Sequence, residues 1–72
     1  MNVGQTLQYL GESVSREKRP FDYTGTLDAN TQAQFNALIW NDSRPKPSWQ
    51  QLQQAEAHSN LWHAQRAWMQ NI

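Results

Sequence analysis

A chain of 72 residues holds one domain at most, near the lower limit for a core that stabilises itself. Six Lys and Arg balance six Asp and Glu, so no net field gathers nucleic acid or anionic lipid. With no cysteine, disulfides and thiolate zinc sites are excluded, and an apolar content of 38% is thin enough to favour a partner, either another copy or a larger protein.

The chain opens with MNVGQTLQYL, in which Val3, Leu7, Leu10 and Val14 recur at spacings of four, three and four. That is one face of a helix, and the spacing predicts a short N-terminal helix over residues 1–14. Gly4 and Gly11 weaken it at interior positions. The opening carries no cationic start followed by an apolar block, and no apolar run reaches the roughly 20 residues of a bilayer span, so no membrane role and no export are expected.

Residues 15–30 read as a linker. Arg16, Lys18 and Arg19 surround Glu17, and Pro20 stops any helix before it. Three cations around one acid form a weak footprint for nucleic acid, and a solvated linker is the simpler reading. Phe21 and Tyr23 alternate with polar neighbours before the turn residues of TGTLDANT.

Residues 31–47 hold a short element and a Pro-rich strut. Ala33, Phe35, Ala37 and Ile39 alternate as in a strand, while Ala29, Ala33, Phe35, Leu38 and Ile39 suit a helical face. Helix formers and the caps Asp28, Asn30 and Thr31 favour a short helix ending near Leu38, with Ile39 and Trp40 extended beyond it. Pro45 and Pro47 then fix their own φ and bias Arg44 and Lys46 to extended geometry, giving a stiff strut flanked by Trp40 and Trp49. Two readings stay open for it: a clasp that orients the last helix, or a platform presenting Trp49 with Arg44 or Lys46 to a partner.

Residues 48–72 predict a long C-terminal amphipathic helix. Ser48 and Gln51 have the form of a capping box, and no Gly or Pro follows. Trp49 and Leu52 begin one face. Ala57, Leu61, Ala64 and Trp68 repeat at four, three and four, and Trp62, Met69 and Ile72 form a second stripe. Two stripes on one helix exceed what so short a chain can cover, which implies intermolecular contact. The fold class is therefore mainly α, as a single domain, and homo-oligomerisation is expected.

Catalytic and metal sites are not expected. His58 and His63 diverge by about 140° around a helix and cannot share a metal. Glu12, Glu17, Asp22, Asp28, Asp42 and Glu56 show no paired spacing for acid–base work, and there is neither a phosphate-cradling loop nor a nucleophile motif. No cofactor is called for.

The stretch Trp40, Asp42, Arg44, Pro45, Pro47, Ser48, Trp49 and Leu52 resembles a recurrent segment of bacteriophage tail-fibre assembly proteins and related small chaperones, and the opening ten residues are similar to the start of some of them. Asn41 is a mild departure from that pattern. The resemblance covers about a third of the chain. It implies a chaperone that binds the C-terminal region of a tail-fibre protein, assists its trimerisation in the host cytoplasm and can remain on the fibre in the virion. A small structural component of the tail or baseplate is the alternative, and a nucleic-acid regulator a distant third. The partner-binding candidates are Trp40, Arg44, Trp49, Leu52, Leu61, Trp62 and Trp68.

Overall fold

In the computed structural model, which describes residues 1–26 and 28–70 and at 69 and 70 the backbone alone, Asn2 starts the first helix. Its side chain accepts the Gln5 N–H at 2.8 Å, and its carbonyl accepts the Thr6 hydroxyl at 3.0 Å. Helix α1 runs Val3–Tyr9 and continues as a π-helical turn over Leu10–Val14, where Ser15 N–H reaches back to the Leu10 carbonyl. Val3, Thr6 and Leu7 face inward.

The wide turn holds Gly11, and Gly11 is buried. A Cβ there would stand 2.7 Å from the Arg19 carbonyl oxygen and 3.0 Å from the Phe21 nitrogen. Both neighbours are backbone, so neither can swing aside. Gly11→Ala is expected to destabilise the fold by about 1–3 kcal/mol, as overpacking does. Gly4→Ala, measured alongside in urea melts, shows what helix propensity alone contributes.

Strand β1, Tyr23–Thr24, lies within the span expected to be a linker. It pairs antiparallel with β2, Ile39–Trp40, Tyr23 opposite Trp40 and Thr24 opposite Ile39. Between them, α2 spans Gln32–Asn36 behind a capping box in which Thr31 and Gln34 bond reciprocally. The ambiguous middle is thus both things in turn, a short helix and then two extended residues. Ser48 N–H donates to Gln51 at 2.7 Å and Gln51 N–H to Ser48 Oγ at 3.1 Å, closing the expected cap of α3, Trp49–Gln70.

Val3, Leu7, Ala29, Phe35, Leu38 and Leu52 form the core, with Leu10, Phe21, Tyr23, Trp40 and Trp49 partly buried against it. Helices α1 and α3 lie side by side and run in the same direction. The Met1 ammonium is 3.7 Å from Glu56, the Gln5 carbonyl accepts from Ser59 at 3.3 Å and from His63 at 2.8 Å, and Glu12 meets Arg66 at 3.3 Å. The fold is mainly α, with the long C-terminal helix as its spine. No helix among the described residues is long and apolar enough to cross a membrane.

Candidate functional site

Arg44 is the hub of the strut. Its Nε donates to Asp42 Oδ1 at 2.9 Å and its Nη2 to Asp42 Oδ2 at 2.8 Å, a two-pronged pairing. Nη1 donates to Ser15 Oγ and to the Arg19 carbonyl, both at 2.9 Å, and Nη2 to the Pro20 carbonyl at 2.8 Å. Those contacts use all five guanidinium protons. The plane also lies 4.3 Å over the Phe21 ring.

Asp42 is held as firmly. Its Oδ1 accepts the Arg44 backbone N–H at 2.9 Å, its Oδ2 accepts the Asp22 N–H at 2.9 Å, and its side chain has no solvent exposure. Hydrogen bonds from the Arg44 side chain are the main reason its carboxyl sits well below the usual carboxylate range, outweighing the desolvation that opposes them. Arg44 is pushed up by the same pairing. Trp40 completes the clasp: its Nε1 donates to the Arg44 carbonyl at 2.7 Å, and its ring stacks on Tyr23 at 5.9 Å and leans on Phe21 at 4.9 Å. Burial raises the Tyr23 pKa above its ordinary value.

The expected partner-binding set therefore divides. Arg44 has no donor left for a partner, and Trp40 is engaged inside the clasp. Leu52 has no exposed surface and belongs to the core, so a partner cannot touch it without unfolding the domain. Trp49 is half-buried against Phe35 at 5.7 Å. Lys46, the other cation of the strut, donates to the Phe35 carbonyl at 2.9 Å and lies over that ring. Trp62 is half-buried, edge-on to Tyr9 at 5.8 Å and capped by the Arg66 guanidinium at 4.5 Å. These five members of the expected set, and Lys46 with them, pack within the fold, each where the strut or α3 meets the rest of the chain.

Leu61 and Trp68 are different. Leu61 is 58% exposed and Trp68 69% exposed, and Ala57 and Ala64, which complete their stripe, are exposed too. At 100° per residue this stripe lies about half a turn around α3 from Leu52, Ser59 and His63, the side docked on α1. The docked side joins the buried Leu52 to the polar Ser59 and His63, whereas the stripe on the opposite side is apolar and, among the described residues, uncovered. Of the second expected stripe, Trp62 is described above, while the Met69 side chain and Ile72 lie outside the described residues.

The cationic run is largely spent. Arg19 pairs with Glu17 at 2.6 Å and Asp42 at 3.5 Å, and Lys18 donates to the Ser13 carbonyl at 2.6 Å. His63 Nε2 carries its proton toward the Gln5 carbonyl, whereas His58 is exposed elsewhere on the helix. Among the described residues no cluster of three His, Asp or Glu is placed to hold a metal.

An open groove of about 480 Å³ lies between the end of α1 and the strut, lined by Leu10, Val14, Phe21, Pro45, Pro47 and Gln51. Sequence reasoning missed it, because it forms only once the clasp brings residues 10–21 against residues 44–51. It missed Asp42 for a similar reason: scattered acids look alike until the backbone N–H of Asp22 is delivered to one of them. No known protein family, curated protein or solved structure matches the chain.

Proposed function

We propose that this protein is a small protein-binding accessory of bacteriophage tail-fibre assembly, which docks a fibre polypeptide on the Leu61–Trp68 face of α3. One observation carries the reading: an indole 69% exposed on an ordered helix, in line with an exposed leucine and two alanines, on the side away from the core. Tryptophan is the residue type that most often dominates protein interfaces, and an apolar stripe at helical spacing is the form in which a helix meets a groove or another helix. The residues that carry the likeness to tail-fibre assembly proteins support the reading indirectly. As the clasp, they fix the entry angle of α3 and so hold the stripe outward. On this reading the protein acts in the host cytoplasm as fibres assemble, with the virion fibre as its second location.

Co-expression with the C-terminal region of a tail fibre tests this, with the mass of the complex as readout. Trp68→Ser is expected to weaken capture on the order of 30-fold, the loss of a hot spot worth about 2 kcal/mol, while helicity stays unchanged. Undiminished capture by Leu61→Ser/Trp68→Ser would refute the docking face. Stoichiometric presence in particles with normal fibre maturation would favour a structural tail component instead.

A further inference from the structure

The exposed stripe of α3 alternates small and large: Ala57, Leu61, Ala64, Trp68. We infer that this face pairs with the same face of a second copy, antiparallel, about a two-fold axis midway between Leu61 and Ala64. The inference rests on the reading of that face as a docking surface and names another occupant for it, one that a fibre must displace or join.

The alternation selects the register. About that axis, Leu61 faces Ala64 of the second copy and Trp68 faces Ala57, so every bulky side chain meets a methyl group. A parallel, in-register pair would set Trp68 against Trp68 and Ala57 against Ala57. The indole layer would then hold the helices apart and leave the alanine layers empty, a packing fault in an interface that must match interior density. The antiparallel arrangement is isologous and closes as a dimer.

Charge permits it. The positions flanking the stripe are His58, Asn60, Gln65 and Ala67, none of them an Asp, Glu, Lys or Arg. The two charged residues of the helix are directed at α1 instead, Glu56 to the Met1 ammonium and Arg66 to Glu12. Toward the start of α3 the stripe continues through Gln54 and Gln50, where it turns polar, so pairing is confined to the last three turns. Two copies meeting over these layers bury on the order of 1,000 Å², near the floor for a specific interface, which predicts a dimer that dissociates on dilution.

The absence of cysteine makes the register measurable, since one introduced thiol is the only one present. Ala57 and Ala64 are both exposed, so either accepts the small change to cysteine. About the proposed axis, the two copies of position 64 are offset by about 4.5 Å along the helices, and the two copies of position 57 by about 16 Å, from the rise per residue. With a short bis-maleimide, Ala64→Cys is expected to give a covalent dimer in high yield and Ala57→Cys almost none. Crosslinking of both variants, of neither, or of Ala57→Cys alone would overturn the proposal. Sedimentation of the unmodified chain must also show mass rising with concentration toward twice the monomer, and a constant monomer mass would equally overturn it. Fibre capture lost by Trp68→Ser without any crosslinked dimer would remove the self-pairing alone. A crosslinked dimer with no fibre capture would remove the fibre reading alone.

Discussion

Leu52→Ala is expected to remove about 2–5 kcal/mol of stability, the range for deleting a fully buried leucine. A core in a domain this size rarely supplies more than about 3–5 kcal/mol, so the variant is expected to be largely unfolded at room temperature. Leu52 has no exposed surface and lies one turn inside α3, in the same cluster as Val3 and Leu7 of α1, Phe35 of α2 and Leu38 just beyond α2. It joins the three segments. Circular dichroism with urea titration reads the loss. Leu61→Ala on the same helix is the comparison: at 58% exposure it is expected to stay within about 0.5 kcal/mol of the unmodified chain. Equal losses from the two would mean that the assignment of the docked and open sides of α3 is wrong.

Breaking the Asp42–Arg44 pair is expected to produce the next largest loss, a fall in urea midpoint second only to removal of a core leucine. Asp42→Asn strips the charge from an unexposed carboxylate that accepts from Arg44, Asp22 and Arg19, and leaves a cation whose other partners are two carbonyls, a hydroxyl and the half-exposed Glu17 carboxylate at 3.6 Å. Arg44→Lys is expected to fail almost as badly as Arg44→Ala, because an ammonium cannot reproduce the fork that spans Asp42, Ser15, Arg19 and Pro20. The pH dependence carries a definite sign. The folded-state pKa of Asp42 is lowered, chiefly by hydrogen bonds from Arg44, relative to about 3.9 for an unfolded aspartate. Its contribution is therefore full above about pH 5 and is lost progressively as pH falls below about 4 toward the depressed folded value. The gap in urea midpoint between the unmodified chain and Asp42→Asn should narrow as the titration moves from pH 7 to pH 3. A gap constant over that range would mean that the carboxylate is not held in this way.

How much of this could be read in advance follows from the range of each interaction. The cap at Ser48 and Gln51, the helix through Val14 and the extension at Ile39 and Trp40 were legible because each depends on residues within four positions. Phe21 and Tyr23 showed strand alternation, but their span read as a linker because the partner strand lies sixteen residues away and only two residues pair. Gly11 read as a helix weakness, and its purpose appears only when the Arg19 carbonyl arrives beside it. The candidate site split along the same line. Leu61 and Trp68 were legible as an apolar stripe, and none of the described residues covers them. Trp40 and Arg44 carry the residue types of an interface, yet local chemistry could not say that Asp42 and three carbonyl or hydroxyl oxygens from residues 15–20 would absorb the guanidinium, or that the Arg44 carbonyl and the Tyr23 and Phe21 rings would hold the indole.

The same-direction packing of α1 and α3 has a kinetic consequence. Gln5 finds its partners 54 and 58 residues later, and Glu12 meets Arg66 across 54. The side of the first helix that α3 covers therefore stays bare until α3 is in place, and folding must close contacts across more than fifty positions as well as zip neighbours. For a small helical protein it should be a slow folder, and the exposed apolar side of its opening helix is the surface that a crowded cell would meet while it waits.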